Sequence, residues 1–180
     1  RRCRICARRR TAEWRKKLTL ANALIKLDRL NRRLPKLSDV ELSWAAGIFE
    51  GEGTVTIIQS GLHVRHILCV SNTDIEIVRF FHDRWGGTFR DCGKPTPAAK
   101  RSYSWTVNAS LYGSLIAKQL LPFIRTHRVR DKMELFIEAN TARRCGSKRQ
   151  EDREIMMAYR KRMTLLNRRG DWVQDAEIVA

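Results

Sequence analysis

The sequence predicts an α+β fold in which two pairs of antiparallel strands alternate with helices, in the order αββαββαα. Ser38-x-x-Glu41 is a capping box, and it starts a helix that runs to about Glu50. Runs rich in β-branched and aromatic residues then follow in two pairs, as is typical of hairpins. The predicted strands span residues 53–59, 62–71, 87–91 and 101–109.

The segments between the strands also carry local signals. Residues 59–61 have the composition of a hairpin turn. Thr73-x-x-Glu76 is a second capping box, which predicts a helix between the two strand pairs. Amphipathic spacing predicts further helices over residues 11–34, 111–121, 129–143 and 150–168.

The charge of the chain is strongly positive and unevenly placed. Its 180 residues include 36 Lys and Arg against 19 Asp and Glu, a formal net charge of +17. Residues 1–37 hold 14 basic and 2 acidic side chains, residues 38–139 hold 12 and 11, and residues 140–170 hold 10 and 3. Such a balance indicates nucleic acid as the partner. We divide the chain into a basic N-terminal arm and helix (1–37), a core domain (38–139) and a basic C-terminal helix and tail (140–180).

Composition also excludes several classes of protein. Hydrophobic residues make up 43% of the chain, so it is globular rather than disordered. No apolar run is long enough to cross a membrane, and the basic helices lack the broad apolar face of a membrane-surface protein. Five irregularly spaced cysteines argue against a secreted disulfide framework. We expect a reducing intracellular compartment, either the cytoplasm and nucleoid or an organelle matrix.

The most informative segment is the end of the first core helix. There Glu50 and Glu52 alternate with Gly51 and Gly53, and a β-branched strand begins at Thr54. Carboxylates clustered in a strongly basic protein indicate a metal site that faces a polyanion.

Two stripes run along this helix. One consists of small residues and leaves room for another backbone to approach closely. The other consists of larger apolar residues and is predicted to face the core. The small-residue stripe is Ser43, Gly47 and Gly51, and the apolar stripe is Val40, Trp44 and Ile48.

Residues 45–53, AAGIFEGEG, resemble the LAGLIDADG motif of the homing endonucleases, with glutamate at both acidic positions. The predicted element order over residues 38–139 is similar to that family's αββαββα core. The resemblance implies a saddle-shaped antiparallel sheet, here with basic N- and C-terminal helical extensions. A chain with one motif acts in this family as a homodimer on a roughly palindromic site. The implied dimer interface is Ser43, Gly47, Glu50 and Gly51.

The resemblance also assigns the metal site. The second acidic position of the motif, Glu52, is implied to bind the catalytic divalent metal, with the Gly51 carbonyl as a further ligand. Oxygen ligands suit Mg²⁺ or Mn²⁺, and two carboxylates from two subunits can hold ions that activate water and stabilise the leaving oxygen. Glu50 is given a structural role at the helix end.

The remaining catalytic candidates are an amide and a basic residue. Asn72 matches the family position of an amide that orders the attacking water, and a helix-capping role beside Thr73 explains it equally well. The basic residue stays open among four positions, of which Arg128 and Lys132 are taken as catalytic candidates. A phosphate contact is the alternative for each. The four are His127, Arg128, Arg130 and Lys132.

Base reading is expected from one face of the sheet, because a twisted antiparallel surface can lie in the major groove. Arg65 and Arg90 are the strongest candidates for contacts to guanine. For the serines and threonines, a simply exposed strand face is the alternative. The predicted DNA-binding residues are Thr54, Thr56, Gln59, His63, Arg65, Thr88, Arg90, Ser102, Ser104 and Thr106, with Arg130 beyond the sheet.

Cys3-x-x-Cys6 looks like half of a zinc knuckle. Zinc needs four ligands, and no second pair of ligands lies at a suitable spacing. Bound Zn²⁺ is therefore not expected.

These predictions describe a site-specific double-strand DNA endonuclease that acts as a homodimer with Mg²⁺ or Mn²⁺. The alternative keeps the fold without cleavage, as a DNA-binding regulator or an RNA-binding intron maturase. The two acidic residues favour the enzyme, because a protein that only binds has no use for carboxylates that face phosphates.

Overall fold

The computed structural model describes residues 22, 25, 28–60, 63–108, 110–142 and 150–168. The chain divides into two compact units, Arg1–Leu34 and Pro35–Ala180. In the first unit residues 28–31 are helical, and the following Arg32 forms an ion pair with Asp28 at 2.8 Å. The elements of the second unit are α1 (Asp39–Glu52), β1 (Gly53–Ser60), β2 (His63–Asn72), α2 (Ile75–Trp85), β3 (Thr88–Gly93), β4 (Ser102–Val107), α3 (Ser110–Leu120), a 3₁₀ turn (Leu121–Phe123), α4 (His127–Ala142) and α5 (Gln150–Asn167).

The four strands form one antiparallel sheet in the order β1-β2-β4-β3. This confirms the α+β class and the predicted order of helices and strands. The β1–β2 hairpin is longer than predicted, because Ser60 still pairs with His63. None of the described helices is long and apolar enough to cross a membrane.

One face of the sheet is buried beneath the helices. Side chains alternate across a strand, so every second residue points to the same side. The buried side chains from the three strands that carry them are Val55, Ile57, Val64, His66, Leu68, Val70, Trp105 and Val107. The opposite face is therefore left uncovered by the described helices.

Helix α1 begins at the predicted capping box. The Ser38 hydroxyl accepts a hydrogen bond from the Glu41 N–H at 3.3 Å, and the Glu41 carboxylate accepts one from the Ser38 N–H at 3.0 Å. Glu41 also pairs with Arg84 of α2 at 2.9 Å. The start of the motif helix is thus fixed both locally and to its neighbour.

Helix α2 is capped by a different residue from the one predicted. The Asp74 carboxylate accepts from the Glu76 N–H at 2.9 Å, so Asp74 is the N-cap and Thr73 lies outside the helix. The Asn72 side-chain oxygen accepts from the Asp74 N–H at 2.8 Å and holds the preceding turn. Asp is at least as good an N-cap as Thr. The turn held by Asn72 places Asp74, rather than Thr73, at the N-cap position.

This cap gives a direct test by substitution. Asp74→Ala is expected to lower the free energy of unfolding by about 1 kcal/mol, because the first turn of α2 loses a side-chain acceptor. Thr73→Ala is the matched control, with an expected change within about 0.5 kcal/mol. Urea denaturation of both variants measures the difference, and equal losses would contradict the assignment of the cap.

The C-terminal end of α2 packs beneath the sheet through two tryptophans. The Trp105 indole N–H donates to the Gly86 carbonyl at 2.6 Å, and the Trp85 indole N–H donates to Gln119 at 2.9 Å. Gly86 and Gly87 have φ values of 65° and 95°, which favour glycine. At Gly87 a Cβ would also lie 2.8 Å from the Thr106 carbonyl.

Helix α5 packs into the second unit. Met156 and Met163 are buried, and the Tyr159 hydroxyl donates to Glu138 of α4 at 2.9 Å. At its end, the Asn167 side chain donates to the Val55 carbonyl of β1 at 3.2 Å. The basic C-terminal helix is therefore part of the packed structure.

Candidate nucleic-acid interface and acidic site

The uncovered face of the sheet, here called the open face, is defined by strand register. Thr54, Cys69, Thr106 and Thr88 form one row of paired residues across all four strands. Residues with the same side-chain direction as this row share the face. The described side chains of the open face are Thr54, Thr56, Ile58, Arg65, Ile67, Cys69, Ser71, Thr88, Arg90, Ser102, Ser104 and Thr106.

Two predicted DNA-binding residues need comment. Gln59 pairs with Val64, so it lies on the side of the sheet that carries Val55 and Ile57. Its prediction as an open-face residue was wrong, because an odd spacing from Thr54 reverses the direction of the side chain. His63 pairs with Ser60 on the strand, and its side chain lies outside the described residues.

The open face presents two unpaired arginines. Arg65 and Arg90 are exposed, and neither side chain forms a hydrogen bond or ion pair with any residue that the structure describes. Arg101, close to Arg90, is instead paired with Asp91 at 2.8 Å. Guanidinium groups without internal partners are available to an external anion or base.

Glu52 lies at the last position of α1, directly before β1. It is exposed, and its side chain has no hydrogen bond or ion pair with another described residue. The last turn of α1 contains no basic residue, so this carboxylate lies at the negative end of the helix dipole. At Gly53 a Cβ would overlap the Phe49 carbonyl and ring, which explains the glycine where helix passes into strand.

Glu50 is held in a different way. Its carboxylate accepts hydrogen bonds from the backbone N–H groups of Arg125 and Thr126 at 2.6 and 2.5 Å. Partial burial raises the pKa of Glu50, but these bonds, the Thr126 side chain and the Arg125 charge outweigh it, and the pKa lies below the ordinary 4.5. Glu50 therefore joins the end of α1 to the segment before α4.

The lowered pKa predicts a pH dependence of stability. The ionised Glu50 stabilises the fold at pH values above its unfolded-state pKa, and that contribution is lost as the pH falls through the lower folded-state pKa. The wild type is therefore expected to lose more stability than Glu50→Gln between about pH 6 and about pH 3. Urea denaturation across this range measures both, and parallel curves would contradict the role of Glu50.

The side of α1 that faces away from the core is exposed and is not covered by the other described elements. Gly47 and Gly51 are exposed, and a Cβ added at either would meet nothing within 4 Å. Val40 is 79% exposed and Trp44 is 43% exposed. Their prediction as core residues was wrong, because Ala45, Ala46 and Phe49 form the buried face.

Comparison with solved structures finds this architecture in homing endonucleases, among them the following three. The homing endonuclease I-CvuI, solved with DNA and Mg, matches with a TM-score of 0.60 and 18% identity over 74% of this chain and 85% of that one. The archaeal intron-encoded homing endonuclease I-Vdi141I matches with 0.60 and 12% over 74% and 87%. The group I intron-encoded homing endonuclease I-CeuI matches with 0.57 and 11% over 92% and 84%.

The chain has the LAGLIDADG homing endonuclease fold. This confirms the resemblance that residues 45–53 carry. No protein-family model matches the sequence. No curated protein sequence matches it either.

The basic residues that follow the LAGLIDADG core sheet are largely engaged within the chain. Arg128 donates to the carbonyls of Leu166 and Arg168, at 3.2 and 2.8 Å, and so caps the end of α5. Arg130 donates to the Ile124 carbonyl at 2.7 Å. Lys132 is half-buried and also interacts within the chain. His127 is exposed at the first position of α4.

Sequence reasoning missed several contacts around the LAGLIDADG motif. The amides that hold Glu50 and the Asn167 bond to Val55 leave no local signal, because their partners are distant in sequence. Cys69 and Ser71 were not predicted on the open face, although alternation from Arg65 places them there. Cys69 accepts from the Thr106 hydroxyl at 3.6 Å.

The described residues contain no cluster of three His, Cys, Asp or Glu side chains that would hold a metal ion. Glu52 and Gly51, the ligands that the LAGLIDADG resemblance implies, are the adjacent last two residues of α1. Cys3 and Cys6, which look like half of a zinc knuckle, lie outside the described residues.

Proposed function

We propose that this protein is a metal-dependent DNA endonuclease that acts as a homodimer. The observation that carries the proposal is Glu52, an exposed carboxylate whose side chain has no partner among the described residues, at the end of α1 where β1 begins. The solved neighbours I-CvuI, I-Vdi141I and I-CeuI are homing endonucleases in complex with DNA. Their fold and this site together support the same class of activity.

The position of Glu52 is unfavourable for stability. A carboxylate in the last turn of a helix opposes the helix dipole, at a cost of about 0.3–1 kcal/mol. Glu50 offsets this cost through the two backbone N–H groups that it accepts from. Glu52 has no such compensation from the described residues, so an external cation is the partner that its chemistry fits.

The donors present fit a divalent cation only in part. The Glu52 carboxylate and the Gly51 carbonyl are hard oxygen ligands, which suit Mg²⁺ or Mn²⁺. The Gly51 carbonyl is among the last carbonyls of α1, which lack intrahelical donors. Two such donors do not complete an octahedral set. A second copy of the chain, DNA phosphates and water would supply the rest.

We propose that the exposed side of α1 is the interface between two copies of the chain. Gly47 and Gly51 allow close backbone approach, and Val40 and Trp44 provide exposed apolar area beside them. Two-fold packing through this surface would place two Glu52 side chains near one axis. Ser43 and Glu50 lie at the margin of the same surface.

In the proposed complex, the open face of the sheet lies against the duplex. Glu52 would hold a divalent cation, which when bound would stabilise charge at the scissile phosphate and activate a water molecule. Glu50 keeps the end of α1 in place. Asn72 has its side-chain oxygen committed to the β2–α2 turn, which leaves its amide N–H₂ as the group to orient water.

Contacts within the chain support a choice among the candidate basic residues. The Arg128 guanidinium already donates to two carbonyls at the end of α5, so we propose that Arg128 positions this helix. Lys132 remains the candidate for a catalytic contact, and Arg130 for a phosphate contact after release from Ile124.

Cleavage distinguishes this function from the alternatives. Duplexes bound by the wild type are selected from a random library, and the selected site is incubated with Mg²⁺ or with EDTA. Double-strand cleavage that requires the metal supports the endonuclease. Tight binding without cleavage would instead support a DNA-binding regulator, and preferential binding of structured RNA would support a maturase.

A further inference from the structure

We infer that base recognition is concentrated at two arginines in each half-site, Arg65 and Arg90, with a weakly selective stretch between them. The inference rests on the proposed function and specifies how that surface reads DNA. Both side chains are exposed, and neither is paired with a residue that the structure describes. Arginine is also the side chain with the reach and the paired donors to contact guanine bidentately.

The residues between the two arginines are short and bonded to one another. The Thr106 hydroxyl donates to the Cys69 thiol at 3.6 Å, and Cys69 and Ser71 are also 3.6 Å apart. The Cys92 thiol donates to the Ser104 hydroxyl at 3.4 Å. Hydroxyls and thiols that satisfy one another in this way discriminate weakly between base pairs.

Register fixes where each arginine lies relative to the acidic site. Arg65 pairs with Ile58, which is five residues beyond Gly53 at the start of β1, so it lies about 17 Å along the strand from the end of α1 that carries Glu52. Arg90 pairs with Ser104, and Ser104 pairs with Ser71. Ser71 follows Val70, the partner of Gly53. Arg90 therefore lies at the same height along the strands as Glu52, on the opposite edge of the sheet.

This geometry predicts a pattern in the target. Arg65 and Ser71 are six residues apart on β2, so the two arginines are offset by about 20 Å along the strands. Ten base pairs of B-DNA span about 34 Å, so the offset equals about six base pairs for strands that run along the duplex axis, the orientation that we propose. Arg90 would read the inner position of each half-site, close to the cleaved bonds, and Arg65 would read the outer one.

Selection from a random duplex library tests the inference. We expect the wild type to select two strongly preferred positions in each half-site, about six base pairs apart. Arg65→Lys should remove the outer preference and Arg90→Lys the inner one, each weakening binding to the wild-type site roughly 10- to 100-fold. Lysine keeps the charge but not the bidentate geometry, so a phosphate contact would survive the change.

Arg79→Lys is the matched control, because it makes the same change at an exposed position of α2, away from the open face, and it should leave both preferences intact. Preferences that survive both open-face lysine substitutions, or that disappear in Arg79→Lys, would overturn the inference while the wild type still selects a site. A wild type that selects no duplex sequence would overturn the proposed function together with it. Circular dichroism of each variant verifies that the fold is retained.

Discussion

Replacing Glu52 with glutamine is expected to reduce DNA cleavage by more than about 100-fold while leaving DNA affinity nearly unchanged. Changes in groups that only support a metal ligand already cost about 10- to 100-fold, and Glu52 is proposed as the ligand itself. Glutamine keeps the size and the hydrogen-bonding oxygen but removes the negative charge. The measurement is single-turnover cleavage of the selected site in Mg²⁺, with binding measured in Ca²⁺ or EDTA.

Glu50→Gln is the matched control two residues away. The substitution weakens the hydrogen bonds that the Glu50 carboxylate accepts from Arg125 and Thr126. We therefore expect the free energy of unfolding to fall by about 2 kcal/mol, with cleavage retained at low temperature. If Glu52→Gln cleaves like the wild type, the assignment of the metal ligand is wrong. If Glu50→Gln alone abolishes cleavage in the folded protein, the two glutamates have exchanged roles.

Gly47→Leu is expected to weaken self-association by about 10- to 100-fold, since overpacking of a close contact typically costs about 1–3 kcal/mol. The same change should not harm the single chain. The Cβ meets nothing within 4 Å, and leucine in mid-helix is favoured over glycine by up to about 1 kcal/mol. Stability of the monomer and affinity for a second copy should therefore move in opposite directions.

Sedimentation velocity measures the self-association, and urea denaturation at low protein concentration measures the stability of the monomer. Ala158→Leu is the control, because Ala158 is exposed on α5, away from the motif helix. A Gly47→Leu variant that associates and cleaves like the wild type would exclude this side of α1 as the interface.

Much of the fold follows from local signals in the sequence. The capping box at Ser38, the paired strand runs and the glycines after α2 each act within a few residues, and the structure contains all of them. The predicted N-cap of α2 was one residue away from the observed one, because Thr73 and Asp74 are both good caps. Only the turn made by Asn72 selects between them.

The site was less predictable, since its properties depend on contacts distant in sequence. Val40 and Trp44 have the spacing of a core stripe, yet they are exposed because the narrower stripe of Ala45 and Phe49 packs inward. Arg128 was a catalytic candidate from its position, but its bonds to the end of α5 depend on a helix nearly 40 residues away. Strand register, which moved Gln59 to the other face, likewise depends on pairing.

The most direct test of the central claim, that two copies each supply one Glu52, is cleavage by mixtures of wild type and Glu52→Gln. Total protein is held constant and allowed to exchange subunits before the selected DNA is added with Mg²⁺. If both copies are needed, an equal mixture should give about one quarter of the wild-type double-strand cleavage, with single-strand nicks making up much of the remainder. Double-strand cleavage at about three quarters of the wild-type level would show that one Glu52 per dimer is sufficient, and about one half would show that single copies act alone; either result would contradict the account.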